Sequence, residues 1–255
     1  MQRKPLFRPI LLALILCGLA PGARAAGEGV DLMQRSWPEN GPLGTFDRAA
    51  VQRGFQVYKE VCHTCHSLNY LAFRNLAALG FSDQELQAIA AGYKVPALDD
   101  EGQPIEREAK PFDHMPAPYA NPAQARAANG GGLPPDLSLI VKAREDGLDY
   151  VYSLLHGFGD PPAGHQVPEG LHYNRYFPGG NIAMPQPLTD GQVTYADGTN
   201  ASLDQMAADV TQFLHFVAEP KLEERKLTGL KAGIFLVVFA GVMLAYKRKT
   251  WRDLH

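Results

Sequence analysis

The feature that most constrains this chain is the motif CHTCH at residues 62–66. Such a cysteine pair can be half a zinc site, a redox dithiol, a structural disulfide or a covalent haem anchor. Zinc thiolates usually come in two pairs, and redox motifs usually open a helix after a strand, whereas this motif follows a predicted helix. A plain disulfide leaves His66 unexplained. The pattern therefore favours a c-type haem, with Cys62 and Cys65 forming thioethers and His66 bound to iron, while His63 is expected at the surface.

The first 25 residues have the features of a secretory signal peptide. Basic residues precede an apolar stretch, and Ala23-Arg24-Ala25 resembles a cleavage site. An uncleaved anchor is the alternative. Of the three cysteines, Cys17 would leave with residues 1–25, so that the mature chain, beginning near Ala26, would keep only the motif pair in an exported domain.

A second apolar stretch lies near the C-terminus, at residues 227–246. As a helix its 20 residues would span roughly 30 Å, enough to cross a bilayer. It contains one charged residue, Lys231, and is followed at once by a basic tail at 247–255, which predicts a cytoplasmic C-terminus. A buried core helix is the alternative. We expect a domain at 26–220, a linker at 221–226 and one transmembrane anchor.

The haem domain is predicted to be all-α with long loops. Helices are expected at 45–62, capped by Thr45; at 81–92, capped by Ser82; at 138–155, broken around 146–147; and at 202–218, capped by Ser202. One or two helical turns are expected within residues 122–132. The prolines and glycines of residues 95–135 predict a loop for the rest of this segment. The start of the loop is expected to be exposed.

The first and last helices of this domain are expected to cross. Gly54 and Phe55 would then meet Phe213 and Leu214. The apolar stripe of the last helix includes Met206, which points to a core position for that methionine.

The second iron ligand has several candidates. Methionine would suit electron transfer, whereas an open site would suit gas binding or catalysis. We favour Met184, which precedes proline in a loop shortly before the last core helix and follows Gly179-Gly180, glycines that would let backbone approach a ring closely. The alternatives are the other methionines and, for a bis-histidine site, five histidines: Met33, Met115, Met206, Met243, His114, His156, His165, His172 and His215.

Charge is divided unevenly along the chain. Residues 26–220 contain 12 basic and 24 acidic side chains, a formal charge of −12, which excludes nucleic acid as a partner and favours a basic protein. Simple solubility would explain the acidity equally well. Candidate docking residues form three groups: Asp99, Asp100 and Glu101; Glu106 and Glu108; and Glu145, Asp146 and Asp149.

Longer motifs carry a resemblance to a known family. In order, the chain contains the cysteine motif, ARAANGGGLPPDLSLI, YVYSLLHGF, YNRYFPGGNIAMPQPL, DGTNAS and a final apolar helix. Together these closely resemble the cytochrome c1 family, the c-type haem subunit of the cytochrome bc1 complex, in a bacterial form. The resemblance covers essentially the whole mature chain and implies a class I cytochrome c-like fold.

The resemblance also implies residue roles. Cys62 and Cys65 match the thioether cysteines, His66 the proximal ligand and Met184 the distal ligand of one haem c. Arg126 matches a basic residue that pairs with a haem propionate. Pro135 resembles a proline whose carbonyl accepts the N–H of the proximal imidazole.

The implied function is a one-electron relay in the inner membrane, with the haem domain in the periplasm. The haem would take an electron from a Rieske iron–sulfur subunit and pass it to a soluble basic c-type cytochrome. The partners would be cytochrome b, the Rieske subunit and the lipid bilayer, in a dimeric complex. This chain would break no substrate bonds itself. The alternatives are a stand-alone anchored cytochrome feeding a terminal oxidase, a haem enzyme or gas sensor with open iron, and a dithiol oxidoreductase.

Overall fold

The computed structural model describes residues 30–252, which are mostly helical. The predicted signal peptide at 1–25 and the last three residues of the tail lie outside this range. The α-helices and strands are, in chain order, α1 Arg48–Glu60, α2 Asp83–Ala91, β1 Lys94–Leu98, β2 Pro104–Glu108, α3 Pro122–Ala128, α4 Gly147–His156, β3 His172–Tyr173, β4 Asn181–Ile182, α5 Leu203–Ala218 and α6 Leu222–Trp251. Short 3-10 segments occur at Cys62–Thr64 and Phe73–Leu79.

Side-chain caps set the starts of four helices. Ser82 and Ser202 cap α2 and α5 as predicted, each accepting a backbone N–H from the residue three positions on. The first helix starts later than expected, because Asp47 and not Thr45 accepts from the backbone of Ala49 and Ala50. The predicted short helix within 122–132 is α3, with Asn121 as its cap.

The predicted crossing of the first and last domain helices is confirmed. Phe55 and Phe213 pack with ring centroids 5.5 Å apart. A Cβ added to Gly54 would lie 2.0 Å from the backbone oxygen of Asp209 and 2.7 Å from Cβ of Phe213. The crossing therefore depends on the missing side chain of Gly54. Met206, fully buried on α5, is a core residue as its place in the apolar stripe indicated.

Gly54→Ala should therefore destabilise the domain. Overpacking of this kind typically costs about 1–3 kcal/mol, since the two helices must separate to admit the methyl group. Denaturant unfolding of the purified protein measures the effect. Gly159→Ala is the matched control, because nothing lies within 4 Å of a Cβ added there. Equal destabilisation by the two variants would show that the crossing tolerates a side chain at position 54.

Two elements differ from the predictions. The start of the predicted loop at 95–135 is an antiparallel hairpin, in which Lys94 pairs with Glu108 and Leu98 with Pro104. Residues 138–146 form turns and not helix, so α4 begins only at Gly147. The all-α expectation is therefore wrong in this detail, because β1–β2 and the small β3–β4 pair contribute strand to a mostly helical domain.

The C-terminal helix is longer than the predicted anchor. Among the described residues, α6 is the one helix that is long and apolar enough to cross a membrane, judged by length and composition. It begins at Leu222, so the predicted linker at 221–226 is mostly the first turns of the helix. Glu223 accepts from Arg48 at 2.8 Å and from the backbone N–H of Phe46 at 2.8 Å. The first turns of α6 are thus attached to the domain.

Candidate functional site

The cysteine motif forms a tight turn directly after α1. The backbone N–H groups of Cys65 and His66 both donate to the carbonyl oxygen of Cys62, at 3.1 and 2.9 Å. The two thiols are free and half-buried. Burial raises the pKa of the Cys62 thiol to about 12, whereas a redox dithiol needs a lowered pKa. This environment disfavours thiol–disulfide exchange.

The orientation of the His66 imidazole is set by the backbone carbonyl of Pro135. Nδ1 of His66 lies 2.8 Å from the carbonyl oxygen of Pro135. A carbonyl can only accept, so Nδ1 carries the proton and Nε2 has the free lone pair of a metal ligand. Burial lowers the pKa of His66, which favours this neutral form. The contact expected of Pro135 is thus present in the structure.

Asp136 holds the Pro135 segment against the cysteine turn. Its carboxylate accepts from Ser67 Oγ at 2.8 Å, from the Asn69 backbone at 2.8 Å and from the Ser138 backbone at 2.9 Å. Burial pushes the pKa of Asp136 upward, but these hydrogen bonds outweigh it and the net pKa is lowered. An ionised, multiply bonded Asp136 therefore fixes the carbonyl that orients His66. No sequence signal pointed to this residue.

The expectation that His63 is a surface residue is wrong. His63 is half-buried between Tyr58 and Tyr93, with ring centroids 5.6 and 5.5 Å away. The Tyr58 hydroxyl donates to the His66 carbonyl at 2.8 Å and lies 3.1 Å from Nδ1 of His63. Because that hydroxyl has one proton, Nδ1 of His63 is the donor in the second bond. Buried Tyr58 thus connects α1 to both histidines of the motif.

Met184 follows strand β4 in a loop and is half-buried. The preceding residue packs on the glycine-rich segment after α3, since a Cβ added to Gly132 would lie 3.2 Å from Cβ of Ala183. Gly179 and Gly180 adopt positive φ angles of 78° and 75°. A Cβ at Gly180 would meet the His165 ring at 2.9 Å, so this glycine is explained by the turn and by histidine packing.

The other candidate ligands lie in varied surroundings, and a bond at one ring nitrogen does not exclude a histidine, as the bond between His66 and Pro135 shows. Met115 is 2% exposed in the core, and Met33 packs against that core. Ring nitrogens of four candidate histidines bond to neighbouring oxygens of Asn69, Tyr152, Asn181 and Glu39; these histidines are His114, His156, His165 and His215. His172 is exposed on β3, and Met243 lies on α6. Met184, by contrast, is half-buried in a loop, and the residue before it packs on the segment after α3. It therefore stays the favoured methionine.

Arg126 lies on the exposed side of α3. Its Nη1 donates to the carbonyl oxygen of Gly131 at 3.0 Å, and within residues 30–252 no carboxylate contacts it. On the same segment, Asn129 donates to the Tyr119 hydroxyl at 3.1 Å, and that hydroxyl lies 3.9 Å from Sγ of Cys65. The α3 segment thus adjoins the cysteine turn.

The donor set is that of a c-type haem site. Two unbridged thiols in one turn can form thioethers, and a neutral imidazole with a fixed tautomer can bind iron. In the described part of the chain no three His, Cys, Asp or Glu residues cluster to hold a metal ion. The fold and site define a haem-binding, c-type cytochrome with one apolar C-terminal helix.

Comparison with known proteins gives the family. The model of the cytochrome C1 family matches residues 37–254, and the chain belongs to this family. It is 44% identical to cytochrome c1 of Rhodospirillum rubrum, with 97% of each chain covered. It is 47% identical to cytochrome c1, heme protein, mitochondrial, of Saccharomyces cerevisiae, over 92% of this chain and 77% of that protein. It is also 47% identical to a Bradyrhizobium diazoefficiens protein named cytochrome b/c1, covering 90% of this chain but only 37% of that longer protein.

Proposed function

We propose that this chain is the haem-carrying electron-transfer subunit of a bc1-type ubiquinol:cytochrome c oxidoreductase. One haem c would be attached covalently through thioethers to Cys62 and Cys65. The observation that carries the proposal is the His66–Pro135 hydrogen bond, which leaves Nε2 available directly after a C-x-x-C turn. Family membership and close relatives titled cytochrome c1 support the same assignment.

Residues of the chain would hold the haem iron. His66 would bind iron through Nε2, and Met184 would supply a second ligand through its thioether sulfur. His/Met ligation raises the reduction potential and suits electron transfer. Arg126 already donates to Gly131, and its exposed guanidinium could also pair with a propionate. Pro135 and Asp136 would keep the imidazole oriented during oxidation and reduction. The resulting domain would be a class I cytochrome c-like fold.

The role of the bound haem is to accept and release one electron. The donor would be a Rieske iron–sulfur subunit and the acceptor a soluble basic c-type cytochrome. The acidic domain would steer that acceptor at low salt. Asp99, Asp100 and Glu101 lie at the turn of the β1–β2 hairpin. Asp99 accepts from the backbone N–H groups of Glu101 and Gln103 at 3.1 and 2.7 Å, and Asp149 accepts from the Trp37 indole at 2.7 Å, so these hydrogen bonds do not rank the acidic groups.

Membrane topology follows from the two apolar segments. Residues 1–25 would be removed on export, 26–220 would form the periplasmic haem domain, and α6 would span the inner membrane. The basic residues after Tyr246 would remain cytoplasmic. Within the complex the chain would contact cytochrome b and the Rieske subunit, and two copies of the complex would associate.

Covalent attachment gives the direct test. On a denaturing gel the full-length protein should retain haem peroxidase staining at the mass of this chain, because thioethers survive unfolding. A variant with both Cys62→Ala and Cys65→Ala should lose all staining. Cys17→Ala is the matched control and should stain normally, since that residue precedes the mature chain. Staining that persists in the double variant would contradict thioether attachment at the motif.

A further inference from the structure

A cleft lined by both charged and apolar side chains lies where α6 leaves the haem domain. Its volume is about 660 Å³, and its lining includes Trp37, Asn40, Lys142, His215, Glu219 and Arg225. These residues come from the segment before α1, the turns after Ser138, the end of α5 and the first turns of α6. The cleft is separate from the cysteine turn and takes no part in the proposed electron transfer.

Helix α6 places the cleft at the membrane surface. This step rests on the proposed function, in which α6 spans the bilayer from Leu227. Arg225 precedes that residue by two positions, or about 3 Å along the axis. The headgroup layer on each side of a bilayer is roughly 5–8 Å thick. One wall of the cleft would therefore stand in the outer headgroup layer.

Two cationic side chains meet at one carboxylate in the cleft, and a histidine lines the cleft with them. Glu219 accepts from Lys142 at 2.6 Å and forms a second ion pair with Arg225. His215 lies one helical turn before Glu219 and also lines the cleft. Both cations keep further N–H groups beyond those used by Glu219. They could donate to the oxygens of a phosphodiester.

The imidazole of His215 is oriented by the buried carboxylate of Glu39. Its Nδ1 lies 3.0 Å from Oε1 of Glu39, whose side chain is 0% exposed. The other carboxylate oxygen of Glu39 is buried without a hydrogen-bond partner among the described residues. Nε2 of His215 has no protein partner within residues 30–252 and is available to the cleft. A buried carboxylate thus orients a third nitrogen beside Lys142 and Arg225.

The cleft lining also carries negative charge beyond Glu219. Asp146 and Asp149 line the cleft, and Asp149 is fixed by the Trp37 indole N–H at 2.7 Å. A site built only for an anion would not place carboxylates there. A headgroup with both a phosphate and an amine would pair with both the cationic and the acidic side chains of the lining, and tryptophan is enriched at membrane interfaces.

We propose that this cleft binds the headgroup of an outer-leaflet aminophospholipid of the phosphatidylethanolamine class. The phosphate lies against Lys142, Arg225 and His215, and the ammonium lies against Asp146 and Asp149. The bound lipid fills the joint between the haem domain and the anchor. The contacts between α6 and the haem domain set the height of that domain above the bilayer. The bound lipid adds a further contact to them.

Photo-crosslinking in native membranes tests the proposal. A photoreactive amino acid replaces Asn40, an exposed residue of the cleft lining, in the full chain within its complex. The expected product is an adduct with phosphatidylethanolamine, identified by mass spectrometry. The same label at Leu43, which is 74% exposed but does not line the cleft, should give little lipid adduct. Combining the Asn40 label with Lys142→Gln and Arg225→Gln should reduce the adduct about tenfold or more, since two charge-assisted bonds to the phosphate are lost.

Other outcomes overturn the proposal. A polypeptide adduct would make the cleft a subunit interface. The absence of any lipid adduct would leave only solvent or a free anion there, and lipid adducts that follow the bulk membrane composition would show no headgroup recognition. An equal loss in the charge-matched variant Lys94→Gln with Arg144→Gln would show a general charge effect. Haem staining and membrane retention are measured on the same samples to separate the proposed function from the lipid site. If both persist without a lipid adduct, only the lipid site is ruled out. If staining or membrane retention is lost, the proposed function is ruled out as well.

Discussion

Arg53→Met is expected to lower the free energy of unfolding of the haem domain by about 3–5 kcal/mol, the usual cost of leaving a buried charge without its partner. Nε and Nη2 of Arg53 donate to the two carboxylate oxygens of Asp209 at 2.8 and 3.1 Å. The Asp209 side chain is 0% exposed, at the crossing of α1 and α5. Asp209 raises the pKa of the guanidinium, so the arginine stays charged throughout the accessible pH range. Denaturant unfolding measures the loss.

The control for Arg53 lies five residues earlier on the same helix. Arg48 pairs with Glu223 at 2.8 Å, but both side chains are at least 32% exposed. Arg48→Met should cost no more than about 1 kcal/mol, as exposed pairs usually do. Adding Asp209→Leu to Arg53→Met should restore part of the stability, because the orphaned charge is removed. Equal costs for the Arg53 and Arg48 variants would mean that Asp209 tolerates the loss of its partner.

Met184→Leu is expected to lower the midpoint potential of the haem and change the spectrum of the oxidised iron. Leucine fills a similar volume but has no sulfur to bind iron, and loss of a methionine ligand removes the stabilisation of the reduced state. Axial ligands tune haem potentials over about 0.8 V, so a fall on the order of 0.1 V or more is expected. A redox titration of the purified protein with optical detection makes the measurement.

Met115→Leu is the matched control for Met184. Met115 is 2% exposed in the core, and its replacement by leucine should cost less than about 1.5 kcal/mol while leaving the potential unchanged. Low-spin iron with unaltered potential in the Met184 variant would rule out this methionine as the ligand. In that event the candidate histidines, such as His165, whose Nε2 lies 2.9 Å from Oδ1 of Asn181, become the next candidates.

Local chemistry explains which elements were predictable. The serine caps at 82 and 202 and the apolar stripe of α5 are short-range signals, and the structure follows them. The crossing at Gly54 was expected as part of the class I cytochrome c-like fold that the resemblance implies. The β1–β2 hairpin was missed because its strands contain Pro96 and Pro104 and are largely exposed, so the usual alternation of apolar and polar residues is absent.

Tertiary contacts explain what the sequence did not predict at the site. Tyr58 reaches His63 and His66 only because the turn folds back beneath α1. Asp136 acts on Ser67 and Asn69 across almost 70 positions, a pairing that no periodicity encodes. By contrast, the cysteine motif is local, and the likeness of PPDL to a known proline contact located Pro135 beside His66.

The measurement that tests the central claim most directly is purification in mild detergent through a tag on the C-terminal tail, followed by a reduced-minus-oxidised spectrum. If the chain is the c-type haem subunit of a bc1-type complex, b-type haem absorption should co-purify with the c-type band, and quinol should reduce both. A c-type band alone, under conditions that preserve membrane complexes, would contradict the account and identify an anchored cytochrome that works without cytochrome b.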